Sequence, residues 1–137
     1  MKLCFSQMEE TPMPQFKGGE KTTYSRFVDD CVNRIMMNRL EPGASIGLHT
    51  HTGNSEVMYI LSGTGKAICD GVEERLGPGD CHYCPGAPPL TPISDGGTDW
   101  FFFAVDPHHK KKKRGGTRCV RRFFIVPAGT VPVPAHP

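Results

Sequence analysis

A chain of 137 residues, 37% of them apolar, is one domain's worth of core, and no run approaches the roughly 20 apolar residues of a membrane helix. The net charge of +2 hides a division: residues 1–106 carry all 14 acids against eight Lys and Arg, net −6, while residues 107–137 carry the other eight bases and no acid. Sixteen Gly and 13 Pro favour a turn-rich β protein over a helical one, and with no secretory signal in the first ten residues the six scattered cysteines read as reduced thiols of a cytoplasmic protein.

Residues 1–23 mix Pro12, Pro14, Gly18 and Gly19 with polar residues and predict a loose entry arm with one short strand. Tyr24 to Val28 reads as a strand and Asn33 to Leu40 as another, ended by the turn residues Glu41-Pro42-Gly43. A polar turn, Thr52-Gly53-Asn54-Ser55, separates His49-Thr50-His51 from the apolar run Val57 to Leu61, whose two faces both carry large apolar residues and predict a strand buried on both sides. Lys66 to Cys69 continues as strand into Asp70-Gly71, a hairpin signal because both residues tolerate positive φ. Cys81 to Pro85, Thr91 to Ser94 and Asp99 to Val105 supply three more strands, with Trp100 and Phe101 to Phe103 as core. Six to eight short strands with turns every eight to twelve residues predict a small barrel or two-sheet sandwich.

Chemistry concentrates between Gly43 and Gly63. His49 and His51 are two apart, which on a strand sends both imidazoles to one face. Glu56 opens the next run, so pairing of the two runs as a hairpin brings one carboxylate to two imidazoles. Two histidines and a carboxylate make a facial ligand set suited to a divalent ion such as Fe, Mn, Ni or Zn. On its own, a His-x-His pair in a strand is more often a polar surface pair.

The spacing adds to this. Gly43, five residues, His49-x-His51, four residues, Glu56, six residues and Gly63 resembles the first motif of the cupin superfamily at every position. The resemblance covers residues 33 to 106 and implies an all-β fold, a small double-stranded β-helix (cupin or jelly-roll) barrel, of the kind found as stand-alone bacterial proteins. It implies a metal held by His49, His51 and Glu56, and a second motif that brings a further histidine. That motif opens correctly with Gly79 and Pro85 and then departs, because Leu90, or Pro89 if the alignment slides by one, stands where the histidine belongs. His82, on the strand leading into this segment, is the candidate substitute ligand.

Other features carry less. Cys81-x-x-Cys84 on a strand places its sulfurs on opposite sides, against a redox or zinc pair. The run from His108 to Arg122 is basic but lacks the interleaved aromatics of a nucleic-acid site, Phe123-Phe124 apart, and reads as a solvated or docked tail. The chain therefore divides into an arm and first strand (1–32), a barrel (33–106) and a basic, Pro-containing tail (107–137). The expected protein is a homodimer joined through edge strands that binds a metal ion and a small molecule. Either the ion acts on that molecule, with no general base evident beyond Tyr59 or His82, or the barrel only holds a ligand and has lost part of its metal site.

Overall fold

The computed structural model describes residues 1–30 and 32–108; the basic run from Lys110 onward and Cys31 and Cys119 lie outside the described residues. Among the described residues ten antiparallel strands form two sheets. The first has the order β1 (Thr11–Pro14), β2 (Thr22–Asp29), β3 (Asn33–Leu40), β10 (Trp100–Pro107), β5 (Glu56–Ser62) and β8 (Cys81–Cys84). The second has the order β4 (His49–Thr50), β9 (Pro89–Ser94), β6 (Gly65–Cys69) and β7 (Val72–Leu76). Among the described residues the only helical pieces are short 3-10 turns at Phe5–Gln7 and Phe16–Gly18, and no helix is long and apolar enough to cross a membrane.

Alternation builds the core. On β10 the inward residues are Trp100, Phe102, Ala104 and Asp106, and on β5 they are Glu56, Met58 and Ile60, all buried. These meet Leu40, Ala67 and Leu90 from the neighbouring strands, and each large apolar side chain removed from water here contributes about 1.5–3 kcal/mol. The expectation that β5 is buried on both sides is corrected: Val57, Tyr59 and Leu61 face outward and are exposed. The Asp70-Gly71 turn forms as expected, with φ of 51° and 76° joining β6 to β7 in register.

The arm is less loose than its composition implied. β1 pairs with β2, and β2 with β3, so residues 11–29 extend the first sheet. Arg39 ties the arm down through Glu10 at 2.8 Å while its guanidinium lies 3.9 Å from the Tyr24 ring centroid. Further along the arm, residues 16–20 close over the strand segment that leads to the histidines: Gly47 N–H donates to Phe16 O at 3.0 Å and Ser45 N–H to Glu20 O at 3.0 Å. A β-carbon on Gly47 would sit 2.0 Å from the Lys17 carbonyl oxygen, so only glycine permits this approach.

Candidate metal centre

His49 and Glu56 come from different sheets. The hairpin expected between their strands does not form: β4 pairs with β9 in the second sheet, and β5 pairs with β10 and β8 in the first. The residues between them, 51–55, cross from one sheet to the other at the barrel mouth. The carboxylate and imidazoles thus face each other across the barrel, where their ligand atoms all lie within 4.8 Å of one another. His49 Nε2 is 3.1 Å from His51 Nε2, and His51 Nε2 is 3.4 Å from Glu56 Oε2.

The remaining ring atoms are held by neighbours. His49 Nδ1 lies 2.8 Å from the Gly47 carbonyl, which it meets as donor, so its Nε2 keeps a free lone pair aimed at the cluster. Asn54 Nδ2 donates to His51 Nδ1 at 3.1 Å, which orients the ring and, in the metal-free protein, leaves the His51 proton on Nε2 facing the lone pair of His49 Nε2. Borderline nitrogen ligands, a carboxylate oxygen and second contacts that orient both rings suit a first-row divalent ion. The donor set fits such an ion, which would supply a Lewis acid with positions open to oxygen ligands.

Burial sets the charges. Glu56 is buried beside the carboxyl of Asp106, to which it is hydrogen-bonded, and its pKa is pushed up to about 8. Asp106 is itself raised by burial, and its Oδ1 is buried with no hydrogen-bond partner among the described residues. His51 is pushed down to about 4 by burial first and then by the neighbouring His49 and Lys17. Burial also lowers His49. Lys17 is an exposed residue, yet its ammonium is partly desolvated and its pKa lowered, while Glu56 and Asp106 act in the opposite direction.

The other expected residues fall elsewhere. His82 points inward from β8 opposite Met58, one pleat beyond Cys84, and its Nε2 contacts Glu74 of β7 at 3.4 Å rather than joining the cluster. Leu90, fully buried, pairs in register with His49, so an apolar side chain stands where the second motif would place its histidine. Tyr59 faces outward, away from the barrel interior. Cys81 is exposed and Cys84 buried, on opposite faces as their spacing required.

Two charged neighbours of the cluster went unread in the sequence. Asp106 had a signal, since it continues the inward alternation of Trp100, Phe102 and Ala104. Lys17 had none, because only the tertiary closure of the arm over Gly47 brings it near.

The family model described as "Cupin domain" matches residues 36–105, just over half of the chain. This chain belongs to the cupin family. Over 67 residues the cupin is 36% identical to the oxalate-binding protein of Thermotoga maritima, an alignment taking in 49% of this chain and 55% of that protein, so it spans about half the length of this curated relative. Its fold is similar to the crystal structure of a predicted oxalate decarboxylase from Thermotoga maritima, with a TM-score of 0.75, 25% identity, and 79% and 99% of the two chains covered. It also resembles a polyketide cyclase from Streptomyces resistomycificus at a TM-score of 0.66 and 20% identity, with 78% of each chain covered, a likeness of fold alone.

Proposed function

We propose that His49, His51 and Glu56 hold one divalent ion at the barrel mouth and that the loaded site binds a small carboxylate anion. The observation that carries this reading is the convergence of two imidazole nitrogens and one carboxylate oxygen within 4.8 Å. The anion follows from the open coordination positions, from the Lys17 ammonium near the cluster, and from the oxalate named for the Thermotoga relatives. The reading is of binding rather than turnover. With Leu90 in place of a fourth protein ligand, two oxygens of one dicarboxylate can occupy positions that a histidine would otherwise restrict.

The test is calorimetry with oxalate added to chain loaded with manganese or zinc, and to the same chain after chelation and dialysis. Saturable binding at one oxalate per chain, confined to the loaded protein and lost in His49→Ala, is expected. Equal binding to the metal-free protein would replace this reading with a barrel that takes its ligand directly.

We further infer that the protein is a homodimer in a reducing compartment such as the cytoplasm. Val57 and Tyr83 are register partners and, with Tyr59 and Leu61, form an exposed apolar stripe on the outer face of β5 and β8. This stripe favours face-to-face contact over the edge pairing expected from the strands. Cys4, Cys69, Cys81 and Cys84 are all free thiols, which accords with that compartment. Sedimentation velocity is expected to give twice the chain mass, and Tyr59→Asp to return the monomer; a monomeric wild type would overturn the inference.

A further inference from the structure

The spacing of Cys81 and Cys84 drew attention to the wrong pair. Cys84 points into the barrel from β8, opposite Glu56 in register, and its Sγ lies 3.6 Å from Sγ of Cys69 at the end of β6. The two strands belong to different sheets, so the contact bridges the barrel interior. Cys69 is partly exposed and within reach of small solutes, whereas Cys84 is fully buried. A disulfide needs about 2.05 Å between sulfurs, a closure of roughly 1.5 Å that side-chain rotation can supply.

We propose that Cys69 and Cys84 form a reversible disulfide that staples the two sheets together beside the candidate metal centre. Hydrogen peroxide serves as oxidant. The Cys69 sulfur attacks one peroxide oxygen, the O–O bond breaks, and Cys69 sulfenic acid forms while the thiol proton leaves with the displaced hydroxide as water. The Cys84 sulfur then attacks the sulfenic sulfur, the S–O bond breaks, and the disulfide forms while the Cys84 proton leaves with the hydroxyl as water. Two electrons pass from the two sulfurs to peroxide, and a dithiol reductant reverses the change.

The order of attack follows from the surroundings. Cys84 is fully buried whereas Cys69 is partly exposed, so peroxide arriving from solvent meets Cys69 first. The Cys84 sulfur also lies 3.8 Å from the carbonyls of Pro85 and Pro88, which hold it in the interior where Cys69 meets it. Cys81 is exposed on the outer face of the same strand, and Cys4 contacts Ser6 on the arm, so neither is placed to compete.

The proposal stands apart from metal or ligand binding, and its test reads covalent structure. The full-length chain is treated with hydrogen peroxide, alkylated under denaturing conditions, digested without reductant and mapped by mass spectrometry. A single cross-linked peptide pair joining Cys69 to Cys84, short by two hydrogens, cleaved by dithiothreitol and absent from both Cys69→Ser and Cys84→Ser, is expected. The oxidised wild type should also melt about 10 °C above the reduced form, because the bond closes a loop of about 15 residues. Recovery of both cysteines alkylated, conversion of Cys69 to sulfinic acid, or pairing of either with another cysteine would each overturn it. Because the mapping is made on wild-type protein, a serine variant that fails to fold leaves the outcome readable.

Discussion

Titrating the chain with manganese or zinc at pH 8 is expected to show one ion bound per chain, with affinity reduced about a hundredfold or more in His51→Ala or Glu56→Gln. The pH dependence identifies the group that competes with the metal. Glu56 must be ionised to ligate, and its pKa is about 8, so from pH 8 downward an ion must displace its proton and affinity should fall about tenfold per pH unit. His51, pushed down to about 4, is already neutral throughout that range and contributes nothing to the slope. Calorimetry at pH 7 in buffers of different ionisation enthalpy should register close to one proton released per ion, and none in Glu56→Gln. A slope set near pH 6 instead would assign the competition to a histidine.

The same groups shape the stability of the metal-free protein. Glu56 has a folded pKa above its unfolded value of about 4.3. It holds a proton in the folded state that the unfolded chain has lost, and its contribution to stability disappears as pH rises toward 8. His51 works in the opposite sense: its contribution is present above about 6.5, its unfolded value, and is lost as pH falls toward 4. Chemical denaturation after chelation should therefore show the two contributions offsetting each other between about pH 4.3 and about 6.5 and stability falling as pH rises from there toward 8, with metal removing that alkaline loss.

Leu90→His is the second change expected to have a large effect, and its two consequences have opposite signs. The side chain is fully buried opposite His49, so an imidazole there loses apolar packing and gains a polar atom that needs a partner, costing the metal-free protein about 2–4 kcal/mol. With metal present the new nitrogen completes a three-histidine, one-carboxylate set, and affinity should rise tenfold or more, by about 1.4 kcal/mol for each factor of ten. Thermal melts with and without zinc measure both effects on one sample: a lower melting temperature after chelation and a larger metal-induced rise than in wild type. A variant destabilised equally under both conditions would show that Leu90 does not stand at a ligand position. The added ligand should also weaken oxalate binding, because it takes a position the dicarboxylate would use.

What was legible in the sequence was what local geometry controls. Asn33 to Leu40 alternates over one strand, and its bounds in the structure, Asn33–Leu40, are those the pattern implied. The motif positions Gly43, Gly63 and Gly79 all adopt positive φ, so the spacing that suggested the family is a spacing of turns. The exposed flank of β5 was misread because its outward residues are apolar, and composition cannot distinguish a strand buried on both sides from one whose second face is bare. His49 and Glu56 were assigned to one hairpin because they are close in sequence, whereas the turn between them crosses between sheets. Lys17 and the Cys69–Cys84 contact depend on pairings between elements far apart in the chain, for which no local period exists.

That the ligands are divided between two sheets bears on the order of events when the chain folds. The first sheet joins residues as distant as Leu40 and Trp100, pairings of the long-range kind that slow folding. A hairpin site would exist as soon as its own turn closed. Here Glu56 and the histidines meet only when both sheets have docked, so an ion present during refolding should leave the early phases unchanged and act on the last step and on unfolding. Metal capture, followed by an ion whose spectrum changes on binding nitrogen and oxygen ligands, would then serve as a clock for closure of the barrel.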